Sequence, residues 1–498
     1  MLRSLRLQNF RSLRDTGDVP LRPIVLLVGA NSSGKSSFLR FFPLLKQTAQ
    51  ANSRSPLLWF REERGFVDFR DFETTLFRGA EEPEIVVSGR FEATKINAAA
   101  ESADCRFFSH IRAEDDRSYV HDFQLECLGD DLIASFDPKR QLTTLQNIGE
   151  ELIGDLPSHT SREVSFENLV PFFGDTALGD LAHELLRRKV EEQVHGRTGD
   201  EKLDELARNI DYGTLDHVYR SMLEVEGGTR RWRDNVTALT ASSPYVEKIK
   251  QLAFLRAVGG RHGWSPMQQL TDTLADLALN VRYIGPFRRA PARYYRQQEV
   301  SVDEIDPSGG NLAMFLYSLD PHARVGFSSW VHEHFGFHVR AERREAQVVL
   351  RVHTGTQSKY DLTDMGFGIS QLLPVAAQCW LSGQKGVSRR RLAPMVLAIE
   401  QPELHLHPHH QFQLADMFVS LTEAARNTDQ PLSLCIETHS EAMIHRFGEL
   451  VEATTLSRDH ITILFFEKLP GRDESTVRLI EFDTNGVLQG WPIGFFRG

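Results

Sequence analysis

Only four cysteines, Cys105, Cys127, Cys379 and Cys435, occur in the 498 residues, and no two are spaced as C-x-x-C. This leaves no disulfide framework and no zinc site of the common kind, and it is the usage expected of a reducing, cytoplasmic compartment. No run approaches the roughly 18 consecutive apolar residues that a membrane-spanning helix needs. Residues 1–20 alternate apolar side chains with Arg, Asn and Asp, without the apolar centre of a signal peptide. Positive charge is not in excess, since the formal net charge is −11 and the pI near 6.0. A surface dominated by nucleic-acid-binding charge is thereby excluded, a local basic groove is not. The segment His332-Glu333-His334-Phe335-Gly336-Phe337-His338 is not H-E-x-x-H, and no carboxylate or cysteine cluster accompanies it. Internal repeats, low-complexity tracts and long heptad runs are missing too.

What is present reads as a globular protein, with 41% hydrophobic and 25% charged residues and a length that predicts two or three domains. Near the start, Ile24-Val25-Leu26-Leu27-Val28 is an apolar strand that runs into Gly29-Ala30-Asn31-Ser32-Ser33-Gly34-Lys35-Ser36-Ser37 and then a helix carrying Phe38, Leu39 and Phe42. This is G-x-x-x-x-G-K-S in the strand-loop-helix context it requires. Glycines allow backbone N–H groups to turn toward phosphates, Lys35 brings positive charge to them, and Ser36 offers a hydroxyl to Mg²⁺. Asn31, Ser32, Ser33, Gly34, Lys35, Ser36 and Ser37 are therefore the candidate nucleotide-binding residues.

β character continues through residues 84–91 and a hairpin at 122–136. From about residue 140 leucines and valines recur at helical spacing, so a mainly α-helical insertion is predicted over 140–280. Thr229-Arg230-Arg231-Trp232-Arg233 within it has the composition for nucleic-acid contact but reads better as an exposed loop. Arg288, Arg289, Arg293, Tyr294 and Arg296 follow the next strand. They suit a nucleotide, a partner subunit, nucleic acid or a purely structural loop.

A phosphate loop needs an acid at the end of a second strand. Met395-Val396-Leu397-Ala398-Ile399 delivers Glu400 to that place, as a ligand of Mg²⁺ through water, followed by Gln401-Pro402-Glu403-Leu404-His405-Leu406-His407-Pro408. A further strand, Leu432 to Ile436, delivers Glu437-Thr438-His439-Ser440, and His439 there can bond a phosphate or an attacking water. Asn9-Phe10-Arg11-Ser12, the phosphate loop, the E-x-P-E-L-H-L-H-P segment and E-T-H-S together resemble the ABC-type P-loop ATPases of the RecF, SMC and overcoming-lysogenization groups. That resemblance implies an α/β head assembled from the two ends of the chain around an insertion. It also implies ATP and Mg²⁺ as cofactors, and a homodimer that sandwiches ATP between the P-loop of one head and a signature segment of the other. The signature would be Asp364-Met365-Gly366-Phe367-Gly368-Ile369-Ser370-Gln371, with Gly366, Gly368 and Ser370 at the nucleotide. The division implied is 1–139 and 281–456 for the head, 140–280 for the insertion, and 457–498 for a small C-terminal region. Phe482-Asp483-Thr484-Asn485-Gly486 and Gly490-Trp491-Pro492-Ile493-Gly494-Phe495-Phe496 resemble the small terminal domain on a prokaryotic branch of this family. Some relatives on that branch serve in anti-phage defence beside a separately encoded effector.

The sequence departs from the family at Gln401, where a glutamate that polarises water is usual. An amide orients water but accepts no proton, so slow turnover is expected, or Glu403 or His439 acts instead. The expected function is an ATP-binding and ATP-hydrolysing switch that signals to a partner protein or nucleic acid, in anti-phage defence or DNA maintenance. An ATP-gated scaffold with little turnover is the alternative. An ATP-regulated nuclease is least favoured, because few residues follow Glu441 and they hold no D-x-D pair.

Overall fold

The computed structural model describes residues 1–498 other than 52, 54, 63–64, 95–101, 128, 148–149, 152–163, 168, 173–176, 195, 213, 226–227, 259–264, 298–301, 356–357, 385–393, 428–430, 469–470, 472 and 493–498. The chain opens with strands β1 (Leu2–Phe10), β2 (Leu13–Asp15), β3 (Val19–Pro20) and β4 (Ile24–Gly29), then helices α1 (Lys35–Leu39), α2 (Phe41–Gln50) and α3 (Phe72–Thr75). A meander follows: β5 (Ile85–Thr94), β6 (Ser102–Glu114), β7 (Arg117–Cys127), β8 (Asp130–Phe136), β9 (Leu142–Asn147) and β10 (Glu150–Glu151). The pair β11 (Ser165–Glu167) and β12 (Val170–Phe172) precedes helices α4 (Ala177–Glu191), α5 (Asp200–Arg208), α6 (Leu215–Glu224), α7 (Arg230–Thr237), α8 (Pro244–Val258) and α9 (Pro266–Leu279). The chain returns through β13 (Val281–Ile284), β14 (Tyr295–Arg296), α10 (Leu312–Ser318), α11 (Pro321–Phe335), β15 (His338–Arg344), β16 (Gln347–Thr354), β17 (Ser358–Asp361) and α12 (Phe367–Ser382). Last come β18 (Met395–Glu400), α13 (Pro408–Arg426), β19 (Leu432–Glu437), α14 (Glu441–Glu452), β20 (Ile461–Lys468), β21 (Ser475–Phe482) and β22 (Leu488–Gln489).

One large sheet organises the molecule, in the order β10-β9-β8-β7-β6-β5-β1-β2-β21-β20-β4-β19-β18-β13 among the described residues. Its β20-β4-β19-β18-β13 half is parallel. Every residue of β4, β18 and β19 is buried because both faces are covered. Val25 and Leu27 enter one hydrophobic cluster while Ile24, Leu26 and Val28 enter the other; Val396 and Ala398 part from Met395, Leu397 and Ile399 in the same way. A continuous apolar run is what a parallel strand covered on both sides requires.

Two differences from the sequence reading have physical causes. Among the described residues helix begins at Ala177, not at 140, and β9 extends the sheet through 142–147. Leu142 and Leu145 are three apart, a helical spacing, yet both are buried. The β8–β9 register shifts between Ser135 and Phe136, and the irregularity turns two residues of unlike parity to one face. The C-terminal stretch from 457 is not a separate small region up to residue 492, since β20 lies directly beside the phosphate-loop strand β4 and β21 folds back on β20. Ile493-Gly494-Phe495-Phe496 lie outside the described residues.

The helices from α4 to α8 enclose a hydrophobic cluster of their own, around Trp232, Leu206, Ile210, Val218, Met222 and Ile249. Trp232 is not in an exposed loop: Thr229 caps α7 by accepting from the Trp232 N–H, and the buried indole donates to the Met222 carbonyl. Its neighbours Arg230, Arg231 and Arg233 are exposed. α9 belongs elsewhere, with Met267, Leu270, Leu274 and Leu277 in the cluster of the main sheet.

Candidate functional site

The turn out of β4 is dictated by space. Gly29 has φ +151°, and a Cβ there would meet the Phe466 carbonyl oxygen of β20 at 2.1 Å. Gly34 has φ +94°, and a Cβ would meet Leu13 Cδ2 and Ser12 Oγ at 2.8 Å, so the Asn-Phe-Arg-Ser turn is pressed onto the loop. Between them Ser32 takes φ +58° and Ser33 Oγ donates to the Ala30 carbonyl at 2.8 Å. The Lys35 ammonium bridges the loop, donating to the carbonyls of Gly29 (3.0 Å) and Ala30 (2.7 Å). Burial lowers its pKa, against the pull of Glu437 and Glu403.

Asn31 through Ser37 all line a cleft of about 770 Å³, with Arg11, Ser12, Arg40, Thr74, Arg78, Gln401, Glu437, Lys468 and Asp473 among its other walls. The loop residues expected to bind nucleotide are thus brought together. Glu400 is not on that wall. It pairs in register with Glu437 on the neighbouring parallel strand, but their side chains have different partners. The Glu400 carboxylate takes Arg40 Nε at 2.7 Å and Nη2 at 2.8 Å, with the Tyr283 hydroxyl at 2.6 Å. The acid opposite Ser36 is Glu437, whose Oε2 accepts from Ser36 Oγ at 2.7 Å. The physical reason is sheet order: β19 lies between β4 and β18, so its last residue is nearer the loop. Burial raises the pKa of Glu437, the Ser36 bond opposes this, and neighbouring Glu400 adds to the rise. A hydroxyl and a carboxylate are hard oxygen donors of the kind Mg²⁺ takes, so Ser36 and this end of the sheet fit the ion.

Gln401 reaches the cleft in a left-handed turn, φ +44°, its N–H donating to the Glu437 carbonyl at 2.8 Å. Arg288 fixes that turn from behind, donating from Nη2 to the carbonyls of Glu400 (2.7 Å) and Gln401 (3.1 Å). Burial lowers the Arg288 pKa to about 10. Within the arginine-rich segment, Arg288 therefore takes the structural role, holding that turn. Glu403 is buried, and its Oε1 accepts from the His439 N–H at 2.7 Å. Burial raises its pKa, and burial followed by the Lys35 charge lowers that of His439. Glu403 Oε2 and His439 Nε2 are buried without a hydrogen-bond partner among the described residues.

Gly366, Gly368 and Ser370 are not on the cleft of their own chain. Gly366 is exposed before α12, and Gly368 lies so close to the loop after β18 that a Cβ would meet the His405 carbonyl at 2.6 Å. Ser370 is buried and its hydroxyl donates to the Phe367 carbonyl at 2.6 Å. Arg40, Tyr283 and Glu437 were not expected as site residues. Spacing could have revealed two of them: Ser36 and Arg40 stand four residues apart on one face, and Glu437 ends its strand as Glu400 does.

A glycine-gated loop after a buried parallel strand, a lysine and serine at its end, and strand-final acids on its neighbours define a P-loop nucleotide-binding protein. More particularly, the chain belongs to the AAA ATPase domain family, whose profile matches residues 1–149 and 304–444; it is an ATPase. No curated protein matches it. Solved structures similar to it include the Smc head domain with an extended coiled coil from Pyrococcus furiosus, at 12% identity and TM-score 0.36 over 96% of both chains. The SMC head domain from Thermotoga maritima is similar at 9% identity and TM-score 0.33, over 96% of this chain and 98% of that one. Among the described residues no helix is long and apolar enough to cross a membrane.

Proposed function

We propose that the chain is a dimerising, cytoplasmic switch that binds and hydrolyses ATP with Mg²⁺ and passes its nucleotide state to a partner through the helical unit α4 to α8. The observation that carries this reading is unmet hydrogen-bonding capacity beside the phosphate loop. Glu403 Oε2 and His439 Nε2, on the two residues that act electrostatically with Lys35, are buried without hydrogen-bond partners among the described residues. Buried polar atoms are normally paired, and this pair next to Lys35 leaves an acceptor and an imidazole nitrogen for a water or a phosphate oxygen.

In this reading Lys35 and the loop amides orient the phosphates, and Ser36 with a strand-final acid holds the ion. Mg²⁺, when bound, offsets phosphate charge as it develops on the leaving group. Gln401 orients the attacking water from its constrained turn. Glu403, its carboxylate fixed by the His439 N–H, takes the proton that an amide cannot. Phosphate release by the purified protein, with Lys35→Ala as control, tests this; release unchanged by that substitution overturns the site.

The scaffold reading is favoured by one observation, the amide of Gln401 where an acid would serve. It expects ATP to drive association while phosphate release stays near background, and Gln401→Glu to raise release. A separately encoded effector and DNA are the candidate partners, in anti-phage defence or DNA maintenance. Exposed Arg230, Arg231 and Arg233 on α7 give the DNA reading a place to act. Affinity falling steeply with salt would mark it. A nuclease at Asp483 has little support, since that carboxylate accepts from the N–H groups of Asn485 and Val487 and from Gln489, the work of a turn.

A further inference from the structure

We propose that Glu437, and not Glu400, is the carboxylate that partners Ser36 in holding the divalent cation of the bound nucleotide, while Arg40 and Tyr283 keep Glu400 as a positioning group. The proposal rests on the nucleotide reading above and names the acid that completes it.

Both acids end adjacent parallel strands at the same register, so strand position does not choose between them. Their partners do. Glu400 has two oxygens and three donors on them, Arg40 Nε, Arg40 Nη2 and the Tyr283 hydroxyl. Its side chain is 2% exposed and its charge is matched by a bidentate guanidinium. A cation recruiting that carboxylate has to break a charge-assisted pair whose carboxylate is buried and leave Arg40 without its partner, which is costly.

Glu437 faces the cleft, and no ion pair engages it among the described residues. The nearby ammonium of Lys35 is taken by the carbonyls of Gly29 and Ala30. Its one side-chain partner is the neutral hydroxyl of Ser36. A serine hydroxyl has one proton and two lone pairs, so donation to Glu437 turns the lone pairs outward, as ligation of a cation needs. One bond therefore orients the hydroxyl and places beside it a carboxylate that no ion pair holds among the described residues, with Lys35 and Arg40 acting on it only from a distance.

The test is Mn²⁺ binding, read from the free-ion electron paramagnetic resonance signal, to the full chain with a non-hydrolysable ATP analogue. Glu437→Gln is expected to weaken Mn²⁺ about tenfold or more, and Glu400→Gln by less than about threefold. Glu437→Asp, which keeps the charge but shortens the reach, is expected to fall between them and serves if the glutamine variant does not fold. Ser36→Ala combined with Glu437→Gln should lose little beyond the worse single variant, because the two groups act as a unit. Loss confined to Glu400→Gln, or equal loss in both, overturns the assignment. Binding of a fluorescent ATP analogue in EDTA separates the two readings. Wild-type binding that Lys35→Ala abolishes, with Mn²⁺ indifferent to Glu437, sinks only this assignment. Absence of wild-type binding sinks the nucleotide reading with it.

Discussion

Glu403 is the residue whose environment makes the sharpest claim about chemistry. Burial holds its carboxyl above the ordinary 4.5, so a base role confines activity to the pH range above that raised value. As pH falls through it the carboxylate takes up a proton and hydrolysis is lost. The acid limb of kcat is therefore expected above pH 4.5, and Glu403→Gln is expected to lower kcat about 10²- to 10⁴-fold and erase that limb. A pH series of phosphate release on both proteins reads it. Gly29 makes a purely steric claim at the same scale. Gly29→Ala sets a methyl 2.1 Å from a main-chain oxygen of β20, which β4 can escape only by separating from it. A variant that keeps both full stability and ATP binding in a thermal-shift titration would contradict this packing.

At the scale of elements, the short helix after the loop is a bracket across two strands. Ser36 reaches β19 and Arg40, one turn on, reaches β18. Arg40→Ala should cost about 3 kcal/mol of stability, since it strands a buried carboxylate. Tyr283→Phe removes one bond to a charged group and should cost about 1.5 kcal/mol. Urea denaturation measures both. Much of this arrangement was legible in the sequence: β4, β18 and β19 are apolar runs, and the lysine and serine follow at fixed spacing. Which acid faces Ser36 was not legible, because that depends on β19 lying inside β18 in the sheet, and chain order says nothing of that. The bracket from Arg40 to Glu400 escaped for the same reason. The strand at 142–147 was misread because an irregular register imitates helical spacing, and the place of β20 beside β4 was hidden by the length of chain between them.

At the scale of the molecule, the helical unit has a hydrophobic cluster of its own around Trp232, and it also joins that of the sheet through Ala182, Ala253, Phe254 and Leu255, so damage at Trp232 should be partly insulated from the head. Trp232→Ala empties the centre of α4 to α8 and should cost that unit about 3–5 kcal/mol. Hydrogen exchange is expected to rise across 185–252 while the phosphate loop and its ATP affinity stay as they were. If the unit reports nucleotide state, the same variant should uncouple partner binding from ATP without slowing hydrolysis. Light scattering with and without ATP, on wild type and this variant, separates dimerisation from that relay.

The sheet order also has a consequence in time. β4 leaves the ribosome well before its two neighbours, β19 and β20, which end at Glu437 and Lys468. Until both have been synthesised the phosphate loop lacks the wall that Glu437 and Lys468 supply, and the apolar strand beneath it has neither neighbour to pair with. Contacts this distant close slowly and leave a hydrophobic strand open to wrong partners meanwhile. A nascent chain halted before β20 is therefore the form most in need of a chaperone, and ATP can act as a ligand that stabilises folding only once β20 has been made.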